Sequence, residues 1–336
     1  MSLTVAIPVF NESNIIKETL RKLCIELESS LIFDTFEILV INDGSTDNTA
    51  EIVAMSNGFG EKIKLVSHST NLGRGKAVKT AMENFNGDVL VIIDADLSYS
   101  TKTIIDLAKP VFLDEADLTL ASPYSTGGKV ENIPFSRKVI SRVGNRILKN
   151  AFKSARVTST SIARGYSRDL VKSLNLIGYG KELNLEVIYK AELLGFRIRD
   201  VPAVLAWPDT RKTRQKKGGV KDLFLMAPII RSHLLFQFIS RPTVLFGIPI
   251  LISFTIFLYG ILNLFFSIVS RINEGIENPV RETLVEGSLT LAITAFSFIT
   301  GLLFIVIFFL VVQSKLYFEE LFIFLTRIFK DLKSRD

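Results

Sequence analysis

The sequence predicts an α/β fold, a mostly parallel sheet with helices on both faces, followed by two membrane-spanning helices. Two observations support this prediction. Apolar, β-branched runs alternate with helical patterns from Leu3 to about Leu205, and two later segments of 28 residues contain no formal charge. Alternating strands and helices build parallel sheets that are covered on both faces. Uncharged apolar segments of that length are typical of membrane spans.

Each element of the first region is predicted from its own pattern. Strands are short runs rich in valine, isoleucine and leucine, whereas helices show apolar residues at helical spacing. The predicted strands are Leu3–Val9, Glu37–Ile41, Ile63–Val66, Val89–Ile93 and Leu118–Ala121. The predicted helices are Glu12–Ser29, Thr46–Ser56, Gly75–Phe85 and Thr101–Leu113. Ligands of such sheets bind beyond the carboxyl ends of the strands, so the residues there are the candidates for function.

Length and composition limit the class of protein. The chain has 336 residues, of which 48% are hydrophobic and 22% charged, so it exceeds one typical domain and is too apolar to be disordered. Its single cysteine, Cys24, cannot form an intramolecular disulfide, and two histidines cannot build a histidine-rich metal site. A metal would therefore depend on oxygen ligands, and a reducing compartment fits.

Positive charge is concentrated just before the first uncharged segment. Eight basic and two acidic residues lie between Leu205 and Arg241, and this excess of six equals the net charge of the whole chain. Because the rest of the chain is neutral overall, nucleic acid is not expected as a partner. The cluster instead predicts a site for phosphate or for anionic lipid head groups.

The uncharged segments Thr243–Ser270 and Gly287–Ser314 predict a transmembrane hairpin. Each would reach about 42 Å as a helix, more than the roughly 30 Å of a bilayer's hydrocarbon core. The loop between them carries two positive and four negative charges, whereas the flank before the first helix is basic. The positive-inside rule then places the loop outside and both termini in the cytoplasm. No cleaved targeting peptide is expected.

Two further segments, residues 222–240 and 316–333, mix apolar and charged residues at helical spacing. This pattern is typical of helices that lie in the membrane interface, and ordinary connector helices are the alternative. The lipid bilayer is therefore an expected partner.

Asp94 and Asp96 are the strongest candidates for chemistry. They lie two residues apart after the apolar run Val89–Ile93, where a strand gives way to a loop. A hard cation such as Mg²⁺ or Mn²⁺ takes oxygen ligands and keeps several waters, so two carboxylates suffice to hold it. For an isolated acidic pair the alternative is a loop with a helix cap.

Three other strand ends carry residues suited to a nucleotide. After the first strand, Pro8 fixes a turn, Phe10 offers a ring that can stack on a base, and Glu12 offers a carboxylate for ribose hydroxyls. Asp43 ends the second strand and is expected to be free to accept hydrogen bonds from a base edge. A glycine-rich stretch ending at Lys76 opens the third helix, which suits a diphosphate.

Together these motifs resemble the inverting family 2 glycosyltransferases with the GT-A fold. They are most similar to the dolichol-phosphate mannose synthase and polyprenyl-phosphate glycosyltransferase group. The motifs are Pro8–Glu12, Asp43–Ser45, Asn71–Lys76 and Asp94–Asp96, and the resemblance covers about residues 1–217. It implies nucleotide or sugar contacts from Pro8, Phe10, Glu12, Asp43, Lys76, Asp94, Ala95 and Asp96. It also implies Mg²⁺ or Mn²⁺ on Asp94 and Asp96, with Ser98 where the group often has a further metal ligand.

The resemblance implies an acceptor site as well. Arg137 lies on the helix that follows the active site in this family, and Arg211 and Lys217 lie in a loop near the diphosphate and the lipid phosphate. These cations, with Asp96, are the residues expected to act in catalysis. The run 158–164 departs from the family pattern on the sugar and acceptor side, so the resemblance does not fix the sugar.

The expected reaction is the metal-dependent transfer of one hexose from a nucleoside diphosphate sugar, of the GDP-mannose or UDP-glucose type, to polyprenyl or dolichyl phosphate. The expected domains are a cytosolic glycosyltransferase domain at 1–217, a basic juxtamembrane helix at 218–241, the hairpin at 242–314 and a cytosolic amphipathic tail at 315–336. The protein is expected in a plasma or ER-type membrane, and a homo-oligomer is left open.

Two alternatives to this reaction stay open. A processive polysaccharide synthase would use the same donor chemistry, but such enzymes usually carry a Gln-x-x-Arg-Trp motif and more membrane helices. The only tryptophan here, Trp207, lacks that context. The other alternative is a catalytically inactive, membrane-anchored scaffold that binds a sugar nucleotide, against which the two retained aspartates argue.

Overall fold

The computed structural model describes residues 1–56, 62–131, 161–178, 180, 183–206 and 242–333. The described residues up to 206 belong to one compact unit, and those from 242 to 325 form a second. The first unit contains the sheet and the second contains helices only.

The first unit is built on a seven-stranded sheet and a separate two-stranded sheet. Its strands are β1 Ser2–Val9, β2 Thr35–Asn42, β3 Ile63–Ser67, β4 Val89–Ile92, β5 Leu118–Ser122, β6 Lys129–Glu131, β7 Arg164–Ser167, β8 Ile198–Pro202 and β9 Val204–Ala206. Its helices are α1 Ile16–Glu28, α2 Thr49–Met55, α3 Arg74–Asn84, α4 Lys102–Phe112, α5 Arg168–Ser173 and α6 Leu183–Leu193.

The large sheet has the order β3-β2-β1-β4-β7-β5-β8. All of its neighbouring pairs are parallel except those of β7, which runs antiparallel to both β4 and β5. This confirms the predicted mostly parallel sheet. Strands β1 to β4 are consecutive neighbours at one side of the sheet, so the loops that follow them meet at one edge.

Apolar layers lie on both faces of this sheet. Along β1, Val5 belongs to one buried cluster and Ala6 to the other, as expected when successive side chains point to opposite faces. The first cluster includes Leu20 of α1 and Leu107 of α4, and the second includes Ala77 of α3. Burial on both sides explains why the strands are continuous apolar runs.

The five predicted strands and the four predicted helices of the first unit are all present. The largest difference between a predicted and an observed boundary is at α1, which begins at Ile16 and not at Glu12. Before it the backbone makes a turn, in which the amides of Ile15 and Ile16 both donate to the carbonyl of Glu12 at 3.0 Å. The sequence did not predict β6 to β9, which are three to five residues long.

The second unit contains α7 Pro242–Asn273, α8 Pro279–Glu286 and α9 Ser288–Lys333 as far as Leu325. Within it, an 18-residue stretch of Leu245–Asn273 has a mean hydropathy of 2.3 and one of Ser288–Thr326 has 2.9, so both helices are long and apolar enough to cross a membrane. The first predicted span lies inside α7, and the second lies inside α9 except for its first residue, Gly287. Helix α9 continues past 314 without a break, so the predicted tail begins as part of the same helix.

Helices α7 and α9 pack against each other in antiparallel fashion. The ring centroids of Phe257 and Phe298 are 4.9 Å apart, and those of Phe246 and Phe308 are 6.4 Å apart. Between these levels Gly301 lies against Phe254. The predicted juxtamembrane helix at 218–241 lies outside the described residues.

Candidate active site

The strand register brings four loops to one edge of the sheet. Pro8 pairs with Ile41 across β1 and β2, and Asn42 pairs with Ser67 across β2 and β3. On the other side of β1, Ile92 at the end of β4 pairs with Ala6. The residues that follow β1, β2, β3 and β4 therefore start next to one another, where ligands of such sheets bind.

The segment Asp94–Ser98 forms a tight turn that presents both aspartates. The amide of Leu97, whose φ is +49°, donates to the carbonyl of Asp94 at 3.3 Å. The hydroxyl of Thr19 donates to the carbonyl of Ala95 at 2.7 Å, which ties the middle of the turn to helix α1. The turn is thus held from within and from a neighbouring helix.

Ser98 orients Asp96. Its backbone amide donates to Oδ1 of Asp96 at 3.0 Å, and its hydroxyl donates to the same oxygen. Ser98 is buried, with 3% of its surface exposed. The sequence predicts Ser98 as a metal ligand, but in this structure its hydroxyl fixes the Asp96 carboxylate instead. Direct ligation by Ser98 stays a prediction.

Asp94 forms an ion pair with Arg74, the first residue of α3. The sequence selected Lys76 as the cation for a diphosphate, yet Nζ of Lys76 lies 3.8 Å from Glu83, two turns along the same helix. The structure therefore brings Arg74, rather than Lys76, to the acidic turn. Arg74 and Lys76 are only two residues apart in sequence. They differ in the direction that their side chains take around helix α3.

Asp43 is buried, with 4% of its surface exposed, and its carboxylate already has several partners. Oδ1 accepts hydrogen bonds from the amide of Leu72 at 2.9 Å and pairs with His68 at 2.8 Å, and Oδ2 accepts from the amide of Gly73 at 2.9 Å. The expectation that Asp43 is free for a base edge is thus not what the structure shows. Asp43 holds the loop that leads into α3.

The loop after β1 is joined to the loop after β2. Asn11, with a φ of +55°, donates its amide to the Ser45 hydroxyl at 3.0 Å, and its side-chain oxygen accepts from the Thr46 amide at 2.8 Å. The amide of Glu12 donates to the hydroxyl of Thr49 at 2.9 Å. Phe10 remains 41% exposed on this loop. An exposed ring at this edge is suited to stacking on a base.

A further contact reaches the acidic turn from strand β9. The amide of Ala206 donates to the carbonyl of Ser98 at 2.9 Å, and Leu205 forms a β-bridge with Tyr99. The segment that follows, 207–241, lies outside the described residues, as does 132–160. The predicted acceptor residues Arg137, Arg211 and Lys217 fall in these segments.

Sequence reasoning passed over two buried side chains near this edge. His68, the residue after β3, links Asp43 to the hydroxyl of Thr80 in α3. Tyr99 accepts a hydrogen bond from the Ser161 hydroxyl at 3.2 Å, and burial raises its pKa to about 12 although that hydrogen bond acts in the opposite direction. The position of His68, two residues after the predicted strand Ile63–Val66, was the available sign.

The residues at the acidic turn fit a divalent cation. Asp94 and Asp96 supply carboxylate oxygens, the ligands that Mg²⁺ and Mn²⁺ prefer. Among the described residues, no group of three or more His, Cys, Asp or Glu side chains could hold a metal. A cation at this turn would thus depend on two carboxylates and complete its shell with water and substrate oxygens.

Two known glycosyltransferases are similar in sequence to this chain. The chain is 28% identical over 194 residues to a dolichol-phosphate mannosyltransferase from Pyrococcus furiosus, covering 57% of this chain and 53% of that protein. It is 28% identical over 247 residues to the glycosyltransferase AglD from Haloferax volcanii, covering 73% of this chain and 38% of that protein. The chain thus spans about half or less of the length of these relatives.

A solved structure has a similar fold at lower identity. Glucosyl-3-phosphoglycerate synthase from Mycobacterium tuberculosis, in complex with Mn²⁺, UDP-glucose and phosphoglyceric acid, superposes with a TM-score of 0.50 at 18% identity, over 70% of this chain and 79% of that one. This supports the fold of the first unit. The model of the family described as Glycosyl transferase family 2 matches residues 4–174, just over half of the chain. The chain therefore belongs to glycosyl transferase family 2.

Proposed function

We propose that this chain transfers one hexose from a nucleoside diphosphate sugar to the phosphate of a membrane polyprenol or dolichol, with inversion at the anomeric carbon. One observation carries the proposal. Asp94 and Asp96 follow β4 at the binding edge of a family 2 domain, in a chain that also has two long apolar helices. A relative named dolichol-phosphate mannosyltransferase supports this acceptor class.

The donor's nucleoside would lie at the edge formed by the first two loops. Pro8 and the exposed ring of Phe10 offer an apolar surface for the base, and Glu12 offers a carboxylate for the ribose. Asp43 would act on the donor indirectly, because it holds the amides of Leu72 and Gly73 in the loop at the proposed diphosphate site. Any direct contact of Asp43 with the base would add to these hydrogen bonds.

The diphosphate would lie between the acidic turn and the start of α3. Helix N-termini favour anions because their amide groups and dipole point outward there. Arg74 already contacts Asp94 at this position. Lys76 would have to leave Glu83 before it could reach a diphosphate. Arg74 is therefore the better placed of the two cations.

Asp94 and Asp96 would hold Mg²⁺ or Mn²⁺ through carboxylate oxygens. A divalent cation bound there supplies positive charge that stabilises the departing nucleoside diphosphate. Ser98 keeps Asp96 in one orientation, and Thr19 fixes the carbonyl of Ala95 between the two aspartates. The chain thus fixes the Asp96 carboxylate and the backbone between the two aspartates, which reduces the reorganisation needed during the reaction.

The acceptor needs no strong general base. A phosphate monoester has a second pKa near 6, so its oxygen is already ionised at neutral pH. Holding it in line with the anomeric carbon is then the main task of the protein. We assign this task to Arg137, Arg211 and Lys217. Ala206 contacts Ser98, and the five residues from there to Arg211 span at most about 18 Å, a chain length that permits this role for Arg211.

Helices α7 and α9 would anchor the domain to the membrane that contains the acceptor. With the basic cluster before α7, this supports a cytoplasmic catalytic domain, cytoplasmic termini and an external loop at 271–286. A cysteine placed at Asn278 tests the orientation. It should react with an impermeant maleimide added outside cells, whereas the native Cys24 is buried and gives little background. Labelling only after the cells are opened would reverse the proposed topology.

A transfer assay tests the reaction. Membranes containing the full chain are incubated with one polyprenyl phosphate and labelled GDP-mannose, UDP-glucose or UDP-GlcNAc. One donor should give a lipid-soluble product carrying a single sugar, and EDTA should suppress it. Longer sugar chains would indicate a processive synthase, and nucleotide binding without transfer would indicate a scaffold. Turnover at the wild-type rate in EDTA would refute the metal role.

Variants of the proposed site residues test their roles in the same transfer assay. Asp94→Asn and Asp96→Asn should each lower transfer about a hundredfold or more, because the cation loses a charged ligand. Glu18→Gln, which removes an exposed carboxylate of α1, serves as the control and should leave transfer unchanged. The double variant Arg211→Ala with Lys217→Ala should impair use of the lipid phosphate more than binding of free nucleotide. Equal losses would contradict the acceptor role.

A further inference from the structure

We propose that Arg74 is the resident counter-ion of Asp94, which the divalent cation must displace and which the donor diphosphate then takes up. The inference rests on the proposed metal and donor sites. Its basis is the ion pair between the Arg74 guanidinium and Oδ1 of Asp94. Arg74 would thereby couple the binding of cation and donor, a role different from that of a fixed phosphate ligand.

The negative charges of Asp94 and Asp96 are compensated in different ways. Oδ1 of Asp96 is held by neutral donors, the amide and hydroxyl of Ser98. Asp94 is paired with a full positive charge from another element. Two carboxylates separated by one residue repel each other, so a cation beside one of them stabilises the pair. Arg74 supplies that charge before a metal arrives.

A divalent cation on Asp94 would remove the reason for this contact. The guanidinium would then face a doubly charged ion of the same sign at short range, which disfavours its position. Arg74 and Asp94 are 44% and 25% exposed, so the side chain has room to leave. Displacing it lowers the affinity of the cation in the absence of donor.

Binding of the donor raises the affinity for the cation again. Arg74 begins α3, directly after Gly73, so its released side chain remains at a helix N-terminus suited to a diphosphate. The oxygens of the diphosphate can accept the hydrogen bonds that Asp94 gave up. Cation and donor therefore promote each other's binding, and this coupling is reciprocal.

Direct binding measurements on the full chain in detergent test the proposal. Mn²⁺ binding without nucleotide is followed by the electron paramagnetic resonance of free Mn²⁺. Arg74→Met should bind Mn²⁺ two- to fivefold more tightly than wild type, where fivefold corresponds to about 1 kcal/mol, as for a partly exposed ion pair. Binding of GDP and UDP is then measured by calorimetry at saturating Mn²⁺. There the same variant should bind roughly ten- to a hundredfold more weakly, since a charged partner of the phosphates is lost.

The opposite changes in Mn²⁺ affinity and nucleotide affinity distinguish this role of Arg74 from a structural one. If Arg74 only stabilised the loop, Arg74→Met would weaken both Mn²⁺ and nucleotide binding, and the proposal would be overturned. Unchanged Mn²⁺ affinity would overturn it as well. Arg74→Lys should move both affinities back toward wild type, and Arg21→Gln, which removes an exposed arginine of α1, should change neither. If wild type bound no Mn²⁺ with or without nucleotide, the proposed metal site itself would be wrong, and this inference with it.

Discussion

Nδ1 of His68 lies 2.8 Å from Oδ1 of Asp43, and both side chains are almost fully buried. The other ring nitrogen, Nε2, lies 2.9 Å from the hydroxyl of Thr80. The imidazole thus joins the end of β2 to helix α3. Because Asp43 also accepts the amides of Leu72 and Gly73, this contact sets the position of the loop at the proposed diphosphate site.

Replacing His68 should destabilise the first unit. His68→Ala leaves the buried Asp43 carboxylate without one partner, which typically costs about 1–3 kcal/mol of the free energy of unfolding. We expect this loss in urea unfolding followed by far-UV circular dichroism, together with weaker nucleotide binding. Thr80→Val is the matched control, since it removes only the partner of Nε2 and should cost less, about 1 kcal/mol. Equal stability of His68→Ala and wild type would contradict a structural role of the pair.

Gly44 should not tolerate a side chain. Its φ is +68°, a region that L-residues rarely adopt, and a Cβ added there would overlap the backbone of Thr70 and Asn71. Gly44→Ala should therefore push the Asp43 loop away from the segment before α3, with a loss of several kcal/mol and of nucleotide binding.

Gly195→Ala is a matched control for this change. Gly195 has a φ of +77° but nothing within 4 Å of an added Cβ, so the control has the backbone strain and lacks the overlap. It should cost only about 1–2 kcal/mol. Thermal unfolding followed by circular dichroism compares the two variants, and similar losses would show that close packing at Gly44 is unimportant.

The fold was largely predictable because burial on both faces leaves a strong pattern. Runs such as Val89–Ile92 are apolar throughout and are bounded by polar residues. The antiparallel strand Arg164–Ser167 was not predictable, because it is only four residues long, begins with arginine and contains glycine. A buried arginine there is satisfied by the carbonyls of Ser161 and Asn184, which are contacts that sequence patterns do not show.

The site was predictable as a set of strand ends but not as a set of contacts. The alignment of parallel strands decides which loops meet, and this follows from the order of elements. The partner of each charge depends instead on side-chain direction. Lys76 and Arg74 are two residues apart on α3 and therefore point about 200° apart around the helix, so only one can face Asp94. Likewise, the burial of Asp43 depends on His68, which is 25 residues away.

Tyr99 predicts a loss of stability at high pH. Burial raises the pKa of its phenol from 10.0 to about 12. Between these values the unfolded chain has released the proton while the folded chain retains it, so folding becomes less favourable as pH rises from about 10 to 12. The full effect is about 2–3 kcal/mol. Tyr99→Phe should remove this component from urea unfolding measured across that range, whereas Tyr317→Phe, at a largely exposed position, should retain it. The same alkaline decline in Tyr99→Phe would assign it to another group.

Gly260 should set the distance between the two apolar helices. A Cβ added there would overlap the side chain of Thr294 in α9, so the helices approach closely at this level. Close approach at small residues is a main source of helix association in membranes, where burial of apolar surface gives little driving force. Gly260→Leu should therefore separate α7 from α9.

Cross-linking of introduced cysteines measures this separation. Cysteines replacing Phe257 and Phe298, whose rings pack 4.9 Å apart one turn from Gly260, should be joined efficiently by a short bifunctional thiol reagent in an otherwise wild-type hairpin. Adding Gly260→Leu should reduce the yield several-fold. Adding Gly247→Leu should leave it unchanged, because nothing lies within 4 Å of a Cβ at Gly247. Undiminished cross-linking with Gly260→Leu would mean that the close contact between Gly260 and Thr294 is not needed to hold the two helices together.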